Sequence, residues 1–217
     1  PIVIGTALII VGGYFVTVAP DVGVSTMTFT FSCLVGMMLA SFVIRLFRGP
    51  AEGFIRDVAA SSLIIVYLPL IGVFVALLLA PDNGAARIWA ILIAVVASDT
   101  GAFAVGVLFG KHKMAPDISP SKTWEGFAGG VGLSVIVSVA SAVFLLDMAW
   151  WIGIAFGVFV SIAGTVGDLA ESLIKRDAGI KDMSNWLPGH GGVMDRLDSM
   201  VMAFPVGWFI LNLAMGS

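Results

Sequence analysis

Residues 88–109 read IWAILIAVVASDTGAFAVGVLF, an apolar run broken by one carboxylate, Asp99. A helix rising 1.5 Å per residue needs about 20 residues to cross the roughly 30 Å hydrocarbon core of a bilayer, and this run is long enough. A buried strand would end after roughly 4 to 8 residues, so the run predicts a membrane-spanning helix. Similar stretches occur at 2–19, 28–47, 58–80, 127–146, 149–175 and 197–216, which makes seven candidate spans. A membrane barrel would need alternating segments of about 10 residues instead. Composition points the same way. Charged residues make up 12% of the chain, against about a quarter in a soluble domain, and the mean hydropathy is +1.06. The expected fold class is an all-α, polytopic integral membrane protein of about seven transmembrane helices.

The cations orient these spans. Arg45, Arg48 and Arg56 fall in one connection, Lys111, Lys113 and Lys122 in a second, and Lys175, Arg176, Lys181 and Arg196 in a third; only Arg87 lies on the other side. The positive-inside rule places those three connections in the cytoplasm, with the amino end inside and Ser217 outside. The net charge of -3 therefore hides a basic face that would attract a polyanion or anionic headgroups. Cys33 is the only cysteine, which excludes an intrachain disulfide and a cysteine-rich zinc site. The first residue is Pro, so a trimmed start is expected, and the first apolar run reads as a span rather than a cleaved signal peptide.

Ionisable residues inside these runs carry the functional signal. Asp99 lies about 11 residues from either border, roughly 16 Å deep. A carboxylate there costs about 2.5 to 3.5 kcal/mol or more unless a cavity, a cation or a partner receives it. Packing against Ser98 or Thr100 is the plainer alternative. In GTVGDLAESLIKRD, residues 164–177, Asp168, Glu171, Ser172 and Lys175 share one helical face. Glu171 and Lys175 have the spacing of an ion pair. Asp168 is left without a cation of its own, and a metal ion in a watery pocket would supply one.

Two polar segments flank these helices. In KHKMAPDISPSKTWEGFAGG, residues 111–130, Ser119, Ser121 and Thr123 interleave with Lys122 ahead of a helix start. Hydroxyls, a lysine and free N–H groups can hold phosphate oxygens, although a solvated basic loop with a helix cap fits equally; a P-loop is absent. In PGHGGVMDRLDS, residues 188–199, Asp195 and Asp198 share a face if the last helix begins near Met194. Simple capping explains them, but Gly189, Gly191 and Gly192 also let the backbone approach a ligand closely. Oxygens from Asp168 and Asp195 suit a hard cation such as Mg²⁺, which takes one or two carboxylates and leaves other positions to water and phosphate.

The run Ser172–Arg176, Lys181-Asp182 and Leu187–Asp198 resembles the signature of the phosphatidate cytidylyltransferases, also called CDP-diacylglycerol synthases. Residues 98–126, SDTGAFAVGVLFGKHKMAPDISPSKTWEG, are similar to that family's other patterned segment. The resemblance covers roughly residues 88–200, and the first three spans match only as hydrophobic helices. It divides the chain into three amino-terminal spans, 1–87, and a catalytic membrane region, 88–217, with a polar cavity open to the cytoplasm.

What the resemblance implies is CMP transfer from CTP to phosphatidic acid, with Mg²⁺ required and a second, monovalent cation left open. Asp168 and Asp195 are the implied metal ligands, with Glu171 and Asp99 in or beside the coordination sphere. Asp168, Asp195, Lys175 and Arg196 are the expected catalytic residues. Substrate contacts are expected from Ser119, Ser121, Lys122, Thr123, Ser172, Arg176, His190 and Asp198. CTP, phosphatidic acid and membrane lipids are the implied partners, with a homodimer expected and no nucleic acid. The implied location is a bacterial cytoplasmic membrane.

Relatives often carry more spans, and tend to show an aromatic pair where Ala102 and Phe103 stand here. A transporter would also bury Asp99, Asp168 and Glu171, but gives no reason for the dense cytoplasmic motif. A CDP-alcohol phosphotransferase would need a DGxxAR element that this chain lacks, and a purely structural subunit leaves the buried charges unexplained.

Overall fold

The computed structural model of the chain describes residues 2–18, 23, 25–48, 52–180 and 194–215. Hydrogen-bonded helix is the structure the lipid interior demands, because each backbone N–H and C=O finds its partner within the segment. The described residues accordingly form seven helices: α1 Ile2–Val18, α2 Thr26–Arg48, α3 Phe54–Leu79, α4 Gly84–Phe109, α5 Trp124–Phe144, α6 Trp150–Asp177 and α7 Met194–Met215. Six are long and apolar enough to span a membrane. The first, at 17 residues, falls short of the length the sequence reading gave it. The fold is all-α and polytopic, with one departure: β1 Lys113–Ala115 and β2 Ser119–Thr123 pair antiparallel in the connection read as a loop.

Two compact units divide the chain, Pro1–Gly84 and Ala85–Ser217. In the first, Ile9, Met37 and Ile65 from α1, α2 and α3 form the buried centre, with Cys33, Leu34, Met38 and Val73 packed on it. Thr17 and Thr26 hydroxyls, 2.9 Å apart, tie the end of α1 to the start of α2. At the other end, Arg45 reaches Asp57 at 2.8 Å and the Glu52 carbonyl at 3.1 Å, closing the α2–α3 turn.

The second unit is held by small residues rather than by bulk. Lipid tails are as apolar as leucine, so helices associate through close packing and interhelical hydrogen bonds. A methyl at Gly130 would sit 2.7 Å from the Ser98 carbonyl, and one at Gly126 would sit 2.8 Å from the Ala102 carbonyl; α4 and α5 touch backbone to backbone. Fully buried Ser134 donates to the carbonyls of Ala94 on α4 (3.1 Å) or Gly157 on α6 (3.2 Å). Ser98 and Ser161 join α4 to α6 at 2.6 Å. Large apolar side chains such as Val107, Leu108, Phe144 and Leu213 point outward, as a lipid-facing surface requires.

Candidate functional site

Close packing of α4 on α5 opens toward the hairpin, and polar residues of α4, β2 and α6 meet there. A cavity of about 270 Å³ is lined by Ser98, Asp99 and Phe103 of α4, by Ser121, Lys122 and Thr123 of β2, and by Thr165 and Asp168 of α6, among others. Among the described residues, Asp99 lines the cavity, and the hydroxyls beside it are bonded elsewhere: Ser98 with Ser161, and Thr100 with the Val96 carbonyl at 2.7 Å.

Lys122 is the centre of this cavity. Its ammonium lies 2.6 Å from Asp168 Oδ2 and 3.5 Å from the Thr165 carbonyl. The expectation that Asp168 has no cation of its own is thereby overturned, because a lysine remote in sequence reaches it across the hairpin. Ser172 Oγ, one turn further along α6, donates to Asp168 Oδ1 at 3.5 Å. Thr123 accepts the Gly126 N–H at 3.1 Å as the cap of α5, and its side chain lines the cavity from that position.

A second cavity of about 190 Å³ is lined by Ile118, Ser119, Pro120, Ser121, Ser172, Lys175 and Arg176. Ser121 lines both cavities. Arg176 is anchored by donating to the Ile118 carbonyl at 3.3 Å, and Lys175 lies 3.6 Å from Glu171, the expected ion pair. Glu171 itself is fully buried. Among the described residues, the charged groups lining the first cavity are Asp99, Lys122 and Asp168, and those lining the second are Lys175 and Arg176.

The last helix begins at Met194, where the spacing argument wanted it. Asp198 accepts the Ser199 N–H at 2.6 Å and stands within electrostatic reach of Asp168, Glu171, Lys175 and Asp99. Close approach of α6 to α7 makes this possible, since a methyl at Gly167 would meet the Asp198 carbonyl at 2.5 Å. His190 and the side chains of Asp195 and Arg196 lie outside the described residues. Thr165, Met114 and Phe127 line the first cavity without having been singled out in the sequence. An apolar or lone hydroxyl residue in a greasy helix gives no signal of its own.

Among the described residues no three His, Cys, Asp or Glu side chains gather closely enough to cage a metal ion. An all-protein cage is not what Mg²⁺ usually requires: one or two carboxylates suffice, with water and phosphate completing the sphere. The Lys122 ammonium beside Asp168 marks a place where positive charge is already accommodated, and the neighbouring donors are hard carboxylate oxygens. The residues present fit Mg²⁺ in that open mode.

The family model described as "Cytidylyltransferase family" matches residues 1–214. A phosphatidate cytidylyltransferase of Mycobacterium bovis is 43% identical over 190 residues, which cover 82% of this chain and 62% of that protein. One from Mycobacterium leprae is 46% identical over 164 residues, covering 76% and 53%. One from Staphylococcus aureus is 46% identical over 110 residues, covering 50% and 42%. The matched segments thus span no more than 62% of the length of these curated relatives.

Proposed function

The chain belongs to the cytidylyltransferase family, and from that membership we propose that it transfers CMP from CTP to phosphatidic acid, giving CDP-diacylglycerol and pyrophosphate. The observation that carries the reading is the pair of cation-bearing cavities that share Ser121 of β2. Two polyanions must be brought together in this reaction, and each needs its own positive lining.

A phosphate oxygen of phosphatidate attacks the α-phosphorus of CTP, the bond to the β-phosphate breaks, and pyrophosphate leaves in line. The nucleophile is already an anion, so the barrier lies in charge repulsion and in stabilising the leaving group. Lys122 neutralises phosphate in the first cavity, and Lys175 and Arg176 do so in the second. Ser119, Ser121 and Ser172 donate hydrogen bonds to phosphate oxygens from the cavity walls, and His190 and Arg196 are included in the proposal as phosphate contacts. Asp168 and Asp195, together with Glu171 and Asp99, would hold Mg²⁺, whose chemistry when bound is to neutralise phosphate charge during the displacement. Asp198 supports that carboxylate set electrostatically.

The positive-inside rule supports a site facing the cytoplasm of a bacterial membrane, where CTP would arrive from water and the lipid from the inner leaflet. A homodimer belongs to the same proposal and rests on the family resemblance alone. Purified protein in micelles, supplied with CTP, phosphatidic acid and Mg²⁺, should release pyrophosphate only when both substrates are present, and Asp168→Ala should abolish release. Release without phosphatidic acid, or undiminished in Asp168→Ala, would remove the basis for the reading.

A further inference from the structure

The hairpin carries Lys122, yet its own ladder does not fix where Lys122 goes. Lys113 pairs with Thr123 and Ala115 with Ser119, so the register shifts between them, with four steps along β2 opposing two along β1. The segment Pro120–Lys122 therefore bulges from the ladder, and a bulge re-aims side chains at the expense of local pairing. Something outside the ladder must hold it.

Glu125, in the first turn of α5, is placed to do so. Its Oε2 accepts the backbone N–H of Lys111 at 3.2 Å and that of His112 at 3.2 Å, and Oε1 lies 2.5 Å from His112 Nδ1. The Trp124 N–H donates to the His112 carbonyl at 3.0 Å. The chain entering the hairpin and the chain leaving it are thus fastened to one carboxylate, by charge-assisted bonds of the stronger kind. The His112 side chain is 78% exposed, so the contact is polar and buries little. Glu125 itself lines neither cavity.

We propose that Glu125, with His112 as its partner, is a positioning residue for the phosphate site: it closes the base of the β1–β2 hairpin and so holds Lys122 against Asp168. The proposal rests on the reading of Lys122 as a phosphate-binding group. It predicts a graded series. Glu125→Ala removes every acceptor, Glu125→Gln keeps one oxygen, and His112→Ala keeps both backbone N–H donors.

Hydrogen exchange by mass spectrometry on the protein in micelles reads the clamp without reference to activity. Peptides covering 111–123 should exchange fastest in Glu125→Ala, less in Glu125→Gln and least in His112→Ala, with α6 peptides unchanged. Pyrophosphate release reads the consequence: kcat/KM should fall about 10-fold in Glu125→Ala and less than about 3-fold in His112→Ala. In a Lys122→Met background, Glu125→Ala should cost less than about 2-fold more, because one residue acts through the other. Losses that multiply in the double variant, or exchange at 111–123 unchanged by Glu125→Ala, would overturn the proposal. If Glu125→Ala does not fold, the Glu125→Gln exchange result decides in its place. If the unmodified protein shows no turnover, the proposed reaction is what falls, and exchange alone decides the clamp.

Discussion

Replacing Lys122 by Met keeps the length and the apolar stem and removes only the ammonium. At 2.6 Å from Asp168 Oδ2, the gross attraction is about 6 kcal/mol at an effective dielectric of 20. Desolvation and side-chain ordering offset most of this, because both side chains keep solvent contact, 21% for Lys122 and 32% for Asp168. Folding stability should therefore fall by only about 1 kcal/mol, the range of a half-exposed pair. Activity should suffer more. A hydrogen bond to a charged group contributes about 1.5 to 3 kcal/mol, and with 1.4 kcal/mol per factor of ten this corresponds to roughly a 10- to 100-fold loss of kcat/KM. Incoming phosphate would also meet Asp168 without its neutralising neighbour. Pyrophosphate release under saturating and limiting phosphatidic acid, together with a melting curve in the same micelles, measures both quantities. Turnover within about 3-fold of the unmodified protein would refute the reasoning, as would a loss explained wholly by unfolding.

Three further outcomes follow from the same structure. Arg176→Gln removes the cation anchored on the Ile118 carbonyl, so the KM for CTP should rise about 10-fold with kcat little changed; an unchanged KM would empty the second cavity of its role. Gly130→Ala puts a methyl 2.7 Å from the Ser98 carbonyl and should lower the melting temperature, since a strain of about 1 to 3 kcal/mol outweighs the helix preference of alanine, at most about 1 kcal/mol. Ser134→Ala loses a buried hydroxyl that reaches α4 and α6 and should cost about 0.5 to 1.5 kcal/mol in reversible unfolding, the range of interhelical bonds in membranes.

The helices were legible because hydropathy alone sets them: every expected run corresponds to a helix, and α7 extends far enough to include both Asp195 and Asp198, the condition for their sharing a face. The hairpin was not legible. Lys113–Ala115 and Ser119–Thr123 contain only one β-branched residue between them and carry Pro120 inside a strand, a composition that argues against strands. What makes it a hairpin is the polar clamp at its base, a set of contacts between residues separated by the whole hairpin. The Lys122–Asp168 pair was hidden for the same reason: it joins β2 to α6 across α5. Helical spacing exposed the Glu171–Lys175 pair because both residues lie on one helix. Thr123 was read both as a phosphate donor and as part of a helix start, and its position serves the second role while lining the cavity.

Asp168 lines the first cavity beside Lys122, and the most direct test of its role in the proposed reaction is pyrophosphate release by the purified protein in micelles containing phosphatidic acid, CTP and Mg²⁺. The account predicts release that requires all three additions and falls by at least about 100-fold in Asp168→Asn, a change that removes the charge but keeps the shape. Equal release by Asp168→Asn, or release that ignores phosphatidic acid, would contradict it.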